Sequence, residues 1–380
     1  MFHLTSEQEM IRLMAGDFAK RELEPFTGKR DEDEIFPADV VKKMGQLGLM
    51  GMMVPAGYGG SGAGAVSYSL ALQEIAYACA STAVTMSVTN LSCEPLLKFG
   101  NEEQKRKYLE PLASGEILGA FAITEPDAGS DPGSIKTRAE DMGDYYLVNG
   151  TKTFITNGGY ADLINLIART GSKKGNRGLS AFIVEKGFPG FSVGKKEKKM
   201  GLRASDTVEL IFDDCRIPKE NLLGREGQGF KVAMTALDSG RIGIASQSLG
   251  IARACLDEAV KYANTRRQFG RTISSFQAIQ WMVADMATQI EAARLLTLSA
   301  ANRKDLGLAF TKEASMAKLF ASELANRAAY KALQIHGGYG YMTEYKVERL
   351  YRDARVTSIY EGSSEVQRIV IARDVLGASG

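Results

Sequence analysis

Histidine is nearly absent: the 380 residues contain two, His3 and His336. A Ser-His-Asp triad would have to use one of them, and neither an HExxH helix nor a multi-histidine metal site can be assembled. Cysteine is almost as scarce. Cys79, Cys93, Cys215 and Cys255 lie far apart with no CxxC pair, which argues for reduced thiols in packing roles rather than a zinc site or a disulfide framework. No run approaches the roughly 18 apolar residues that a membrane span requires. The polar start MFHLTSEQEM lacks a basic-then-apolar leader, so no membrane insertion is expected and the expected location is cytoplasmic. Nor does either sign of charge dominate. Lys and Arg number 47 against 45 Asp and Glu, a net charge of +2 that offers no general field to nucleic acid or an anionic surface. With these classes removed, acid–base work falls to carboxylates, and harder chemistry to a bound cofactor.

What is present reads as an ordinary globular chain. An apolar fraction of 44% and a charged fraction of 24% argue against disorder, collagen-like repeats and a coiled-coil rod. The length suffices for two or three domains, or for one large helical assembly with an insertion. Residues 1–118 read as helical: Thr5 stands three residues before Gln8 in capping-box spacing, and Met10, Ile11, Met14 and Phe18 recur along one face. FPADVVKKMGQLGLMG, SYSLALQEIAYACASTAVTM and NEEQKRKYLEPLASG continue that texture. Residues 119–225 change to short β-branched and aromatic runs cut by Gly, Pro and Asn-Gly. This predicts an all-β module, with Asn149-Gly150 as a hairpin turn. Residues 226–380 return to helix in three or four long amphipathic stretches, the pattern of a bundle.

The local motifs are weak one at a time. Gly57, Gly59 and Gly62 match GxGxxG, but Pro55 precedes them and no strand ending in an acid follows, so a loop between helices is expected. GKKEKKMGLR at 194–203 reads as a solvated basic face or as a site that greets a phosphate. Arg266, Arg267 and Arg271 around Gln268-Phe269-Gly270 read first as cations at a helix end. FAITEPDAGSD at 121–131 closes a strand with a turn whose backbone N–H groups, with the hydroxyls of Thr124 and Ser130, suit an anion or a heteroaromatic ring. It would equally serve as a plain connection between strands. FITNGG at 154–159 is a comparable second turn. In TSIYEGSSEVQ at 357–367, Ser364 and Gln367 stand in capping-box spacing before a helix that stops at Gly377. Glu361 then lies just outside a helix N-terminus beside a flexible glycine, Gly362, where it either complements the helix dipole or does acid–base work.

Taken in order, FAITEPDAGSD, FITNGG, TRRQFGRTISSFQ, LQIHGGYGYM and IYEGSSEVQ span essentially the whole chain. Together they closely resemble the acyl-CoA dehydrogenase family of flavoproteins, nearest to its short-chain, butyryl-CoA dehydrogenase-like members. The resemblance implies an α+β multidomain fold: an N-terminal α-helical domain (1–118), a middle β-barrel domain (119–225) and a C-terminal four-helix bundle (226–380). It implies FAD as cofactor, with Phe121, Thr124, Ser130, Phe154 and Thr156 holding the flavin ring. Arg266, Gln268, Phe269 and Gln277, with Gln334, Gly337 and Gly338, match the segments that reach the FAD of a neighbouring subunit. A homotetramer built as paired dimers follows from that sharing. Ser363 and Glu365 match further FAD contacts. Asp238 and Arg241 match positions that touch the CoA portion, Ser130 lies near the pantetheine, and the basic run around Lys199 is a looser candidate.

Glu361 matches the family's catalytic base, which takes the α-proton of an acyl-CoA thioester while the β-hydrogen leaves as hydride to flavin N5. The α-proton is weakly acidic, so the base needs desolvation that raises its pKa. The apolar step Ile359-Tyr360 before it reads as that desolvation, and Gly362 as room for the thioester. In relatives the thioester oxygen is hydrogen-bonded by the backbone N–H of the base and by a ribityl hydroxyl of FAD. The alternative position for a base, on the long bundle helix, is Gly240 here and cannot serve. MSVTNLSCEP at 86–95 has no basic residue, which argues against a glutaryl-type substrate. The surrounding stretch is about one residue shorter than in short-chain members and borders the acyl pocket. The acyl chain therefore stays open among a short straight one such as butyryl, a cyclic one of the cyclohexanecarboxyl type and a branched one. An electron-transferring flavoprotein is the implied acceptor. An oxidase of the same fold and a non-catalytic scaffold are the remaining alternatives. Cys79 stands where relatives often carry an acid.

Overall fold

The computed structural model describes residues 3–171 and 175–377. Helices come first: α1 (Ser6–Phe18), α2 (Glu24–Glu32), α3 (Ala38–Gln46), α4 (Gly64–Ala78), α5 (Ala80–Phe99) and α6 (Glu102–Ala113). The capping box of α1 forms as its spacing predicts, with the Thr5 side chain accepting from the Gln8 N–H and Gln8 accepting from that of Thr5. Its core face is narrower than expected, because Phe18 is buried while Met10 is exposed. The run SYSLALQEIAYACASTAVTM does not form one helix. It breaks at Cys79, whose extended backbone separates α4 from α5 and whose Sγ accepts from the Thr82 N–H at 3.4 Å as the cap of α5. An acid at that position would cap the same helix, which gives the residue a physical meaning. The glycine-rich stretch before α4 is a loop with a short 3-10 turn at Ala56–Tyr58. The α4 N-terminus beyond it is neutralised from within, since the Asp305 carboxylate accepts from the N–H groups of Ala65 and Val66 at 2.6 and 3.0 Å.

The middle strands are β1 (Gly119–Ala122), β2 (Arg138–Asp141), β3 (Tyr145–Thr156), β4 (Leu163–Thr170), β5 (Leu179–Glu185), β6 (Phe191–Lys196), β7 (Thr207–Pro218) and β8 (Leu222–Leu223). They form one sheet in the order β6-β7-β3-β2-β4-β5-β8, with β1 added in parallel along β4. Tyr146 of β3 and Phe182 of β5 are three strand steps apart, roughly 14 Å in a flat sheet. Their ring centroids are nevertheless 4.8 Å apart, so the sheet is rolled about a common interior of side chains from β1, β2, β3, β4, β5 and β7. Asn149-Gly150 is not a hairpin turn. The pair lies inside β3 at a register shift, with Gly150 at φ +149° pressed against Thr137. The Asn149 side chain is held across the sheet by Asp214, whose N–H it accepts at 2.8 Å. The basic run is divided between β6 and a loop. There Lys199 donates to the Ser205 carbonyl at 2.6 Å, and burial lowers its amine.

The last third holds α7 (Gly229–Thr265), a two-stranded turn of β9 (Arg267–Gln268) and β10 (Arg271–Thr272), then α8 (Gln277–Asp305), α9 (Thr311–His336), α10 (Lys346–Arg355) and α11 (Ser364–Val375). Alanines dominate the buried stripes of α7, α8 and α9, which lets these helices approach closely. Three glycines bring α7 closer still to α4 and α5. A Cβ at Gly250 would meet the Gln73 carbonyl at 2.5 Å, one at Gly243 the Ser87 hydroxyl at 2.5 Å, and one at Gly240 the Leu91 side chain at 2.6 Å. Among the described residues no helix is long and apolar enough to cross a membrane.

Candidate active site

Glu361 sits in a tight turn between α10 and α11, with φ +54° at Glu361 and +86° at Gly362. The left-handed region is easy for glycine and costly for a carboxylate-bearing residue, so surrounding bonds must hold it there. The cap of α11 is Ser363, one residue earlier than the spacing predicts, with its hydroxyl accepting from the Val366 N–H. Ser364 instead donates to Glu323 on α9 at 2.6 Å. Gln367 does not close a capping box either. Its amide turns back to the turn itself, donating to the carbonyls of Glu361 and Gly362 at 3.1 and 3.0 Å.

The Glu361 carboxylate points at α7. A Cβ at Gly240 would lie 2.6 Å from Oε2, so the absent side chain at 240 makes the space the carboxylate occupies. Oε2 is closed off from solvent and has no hydrogen-bond partner among the described residues. Burial pushes the carboxyl up to about 7, against the opposing pull of Arg241 and Lys318. Ile359 supplies little of that burial, being 53% exposed; Tyr360 does more, with its ring packed against the bundle and its hydroxyl bonded to Gln247. Two further orphaned polar atoms lie beside it, Arg241 Nε and Gln367 Oε1. Arg241 is itself buried and paired with Asp238 at 2.5 Å, and Thr311 donates to the other Asp238 oxygen.

The remaining expected residues fall into two groups. Thr124 and Thr156 are half-buried, Ser130 is exposed, and Phe154 stands 64% exposed at φ +59° on the rim of the rolled sheet; Phe121 packs inward against the cluster beneath β1. A buried ion pair joins the two turns that carry them. Lys152 Nζ donates to Glu125 at 2.8 Å and to the Ile123 carbonyl at 3.0 Å, while Glu125 also accepts from the N–H groups of Lys136 and Thr137. Sequence reasoning passed over both residues. The second group lies at the far end of α7 and α9, where Arg266, Gln268, Gly337 and Gly338 line a cavity of about 590 Å³ with Tyr262, His336 and Tyr339. Arg266 lies over the Tyr339 ring, and Tyr262 stacks on His336 at 4.2 Å. Gln277 and Gln334 are exposed nearby, and Phe269 projects with 92% of its surface free. Glu365 is exposed on the first turn of α11. The expected residues thus fall in two separate groups on one chain.

Family models for the acyl-CoA dehydrogenase N-terminal, middle and C-terminal domains match residues 5–116, 120–215 and 227–376. The short-chain specific acyl-CoA dehydrogenase of Clostridium acetobutylicum is 50% identical over 372 residues, 98% of either chain. The chain belongs to the acyl-CoA dehydrogenase family. Two solved structures agree. The butyryl-CoA dehydrogenase of Megasphaera elsdenii is 47% identical with a TM-score of 0.97, covering 99% of this chain and all of that one. A structure described as the electron transferring flavoprotein of Acidaminococcus fermentans matches at 50% identity and a TM-score of 0.98, covering 99% of each chain. As an acyl-CoA dehydrogenase this chain is an oxidoreductase and its cofactor is FAD. The residues present suit that cofactor. Arg266 offers a cation for phosphate, a side chain added at Gly337 or Gly338 would meet open space, and exposed aromatics in both groups offer stacking faces for flat rings.

Proposed function

We propose that this acyl-CoA dehydrogenase oxidises a short acyl-CoA to its α,β-enoyl-CoA, with Glu361 taking the α-proton. The observation that carries the reading is the enclosed carboxylate: Oε2 lacks a partner, burial pushes the group up to about 7, and buried polar atoms of the neighbouring Arg241 and Gln367 side chains lack partners as well. Buried groups left unbonded at a cost of about 1–3 kcal/mol each point to a ligand that completes them. Near neutral pH the carboxylate is balanced between forms, which suits a base for a weak carbon acid. Among the described residues the Glu361 backbone N–H makes no hydrogen bond, so it is free to donate to a thioester oxygen as charge builds there. The missing side chain at Gly362 makes room for Gln367, whose Nε2 a Cβ there would meet at 2.6 Å. FAD, when bound, supplies the acceptor for the β-hydrogen as hydride.

A short acyl chain, butyryl first, is supported by the short-chain relative and by the bulk of Leu91, whose side chain and the Glu361 carboxylate both come within 2.6 Å of where a Cβ at Gly240 would stand. The projecting Phe269 and the two separate groups support a shared cofactor site and hence a homotetramer. We place Phe121, Thr124, Ser130, Phe154, Thr156, Ser363 and Glu365 against the flavin of their own chain. Arg266, Gln268, Phe269, Gln277, Gln334, Gly337 and Gly338 would face that of a neighbour, with Asp238, Arg241, Ser130 and Gly362 toward the CoA thioester. The acceptor would be an electron-transferring flavoprotein, in the cytoplasm. Anaerobic flavin bleaching against straight, branched and cyclic acyl-CoAs tests this: butyryl-CoA should bleach fastest, and Glu361→Gln should slow bleaching roughly 10²–10⁴-fold with FAD retained. Near-normal bleaching by that variant would move the base elsewhere, and fast peroxide formation in air without a flavoprotein partner would indicate an oxidase.

A further inference from the structure

Lys318 has no part in the reaction as described, yet it is buried in the middle of α9 on the same face as Ala314, Ala321 and Ala325. A lysine on an alanine stripe that packs against α7 is costly unless its ammonium is bonded. Its Nζ donates to the Gly362 carbonyl at 2.7 Å, the same oxygen that Gln367 reaches from α11. Gln367 also holds the carbonyl before it, that of Glu361. The peptide planes on both sides of Gly362 are therefore held from two helices, which fixes the left-handed backbone of Gly362 and the side of Glu361 that leads into it. We propose that Lys318 is a positioning residue for the base, one that holds the turn at 361–362 with Gln367 and places a positive charge beside the Glu361 carboxylate.

The inference rests on Glu361 being the base. Holding the plane that leaves Glu361 keeps its carboxylate aimed past Gly240, while the Glu361 N–H lies in the preceding peptide, so the clamp acts on the proton acceptor. The charged and titratable groups facing this site are Arg241 and Asp238 of α7, Lys318 and Glu323 of α9, Tyr68 of α4, Glu365 of α11 and Tyr360 of the turn. Of these, Arg241 and Lys318 favour ionised Glu361. Burial brings the Lys318 amine down to about 8, so it is mostly charged where the carboxyl titrates.

Lys318→Met removes the charge and the bond but keeps the length; Gln367→Leu removes only the neutral half of the clamp. Infrared titration of the Glu361 carboxyl in the FAD-loaded protein, with Glu361→Gln as the blank, should show the midpoint rising by about one unit in Lys318→Met and staying put in Gln367→Leu. Bleaching by butyryl-CoA, per bound FAD, should slow at least tenfold in both. A purely structural lysine would lower FAD content and melting temperature while leaving the midpoint and the rate per flavin at wild-type values, and that result would overturn the proposal. Should Lys318→Met not accumulate, an unslowed Gln367→Leu overturns it alone. Wild-type protein that no acyl-CoA bleaches would overturn the proposed function and this role with it; wild-type bleaching with unchanged variants removes only the role of Lys318.

Discussion

Replacing Glu361 by glutamine should make the protein more stable, and increasingly so as pH rises. The carboxyl is carried from its ordinary 4.5 to about 7 by burial. One unit corresponds to about 1.36 kcal/mol, so ionising Glu361 inside the fold costs about 3 kcal/mol. The sign follows from where protons sit. Below about pH 4.5 the group is neutral in folded and unfolded chains alike, and nothing is lost. Between 4.5 and 7 the unfolded chain gives up its proton while the folded one keeps it, so stability falls; above 7 the full penalty is present. Glutamine never ionises and escapes it. The melting temperature of Glu361→Gln relative to wild type, followed by release of flavin fluorescence from the holoenzyme, should therefore rise by a few degrees between pH 5 and pH 8.5. The same ionisation should appear in wild-type bleaching as a rate that increases with pH through a midpoint near 7. A melting difference that does not change with pH would refute the enclosed, strained carboxylate and the argument built on it.

Gly240→Ala should gain helix propensity yet cut the bleaching rate at least tenfold, because its methyl would fall 2.6 Å from Glu361 Oε2; rapid-mixing spectroscopy on FAD-saturated protein reads this directly. Lys152→Met should cost about 3–5 kcal/mol by stranding Glu125 without its buried partner, and should weaken FAD binding measured by fluorescence quenching, since the Thr124 and Phe154 turns lose their tie. Cys79→Ser should raise stability by about 0.5–1 kcal/mol in thermal melts, a hydroxyl being the better acceptor for the Thr82 N–H.

Much of this architecture was legible in the chain. The order of helical, β and helical textures matches the order in which helices and strands occur, and Thr5 with Gln8 marks the start of α1. Asn149-Gly150 misled because a side chain across the sheet, Asp214, turned a hairpin signal into a bulge. The break at Cys79 escaped notice because both flanking segments are equally apolar, and only backbone geometry separates them. Glu361 stood out through its motif, while its support did not. Lys318 stands among apolar and small residues in ASMAKLFAS, but its partner is a carbonyl 44 residues away, which periodicity cannot supply. Gly240 was read as the lack of a base, and its other meaning, room for the real carboxylate, needed the neighbouring helix and turn in place.

The contacts at Gly240 and Gly243 carry a consequence for how this enzyme could change its preference. At these two positions α7 is already bare backbone, so a substitution there can only add atoms, and those atoms collide with a neighbour. The facing helix is the adjustable one: Ser87 and Leu91 of α5 bear the side chains that meet those glycines, and either can be trimmed or exchanged. Divergence toward longer, branched or ring-shaped acyl groups would therefore be written on one helix, with the opposite one serving as a fixed ruler.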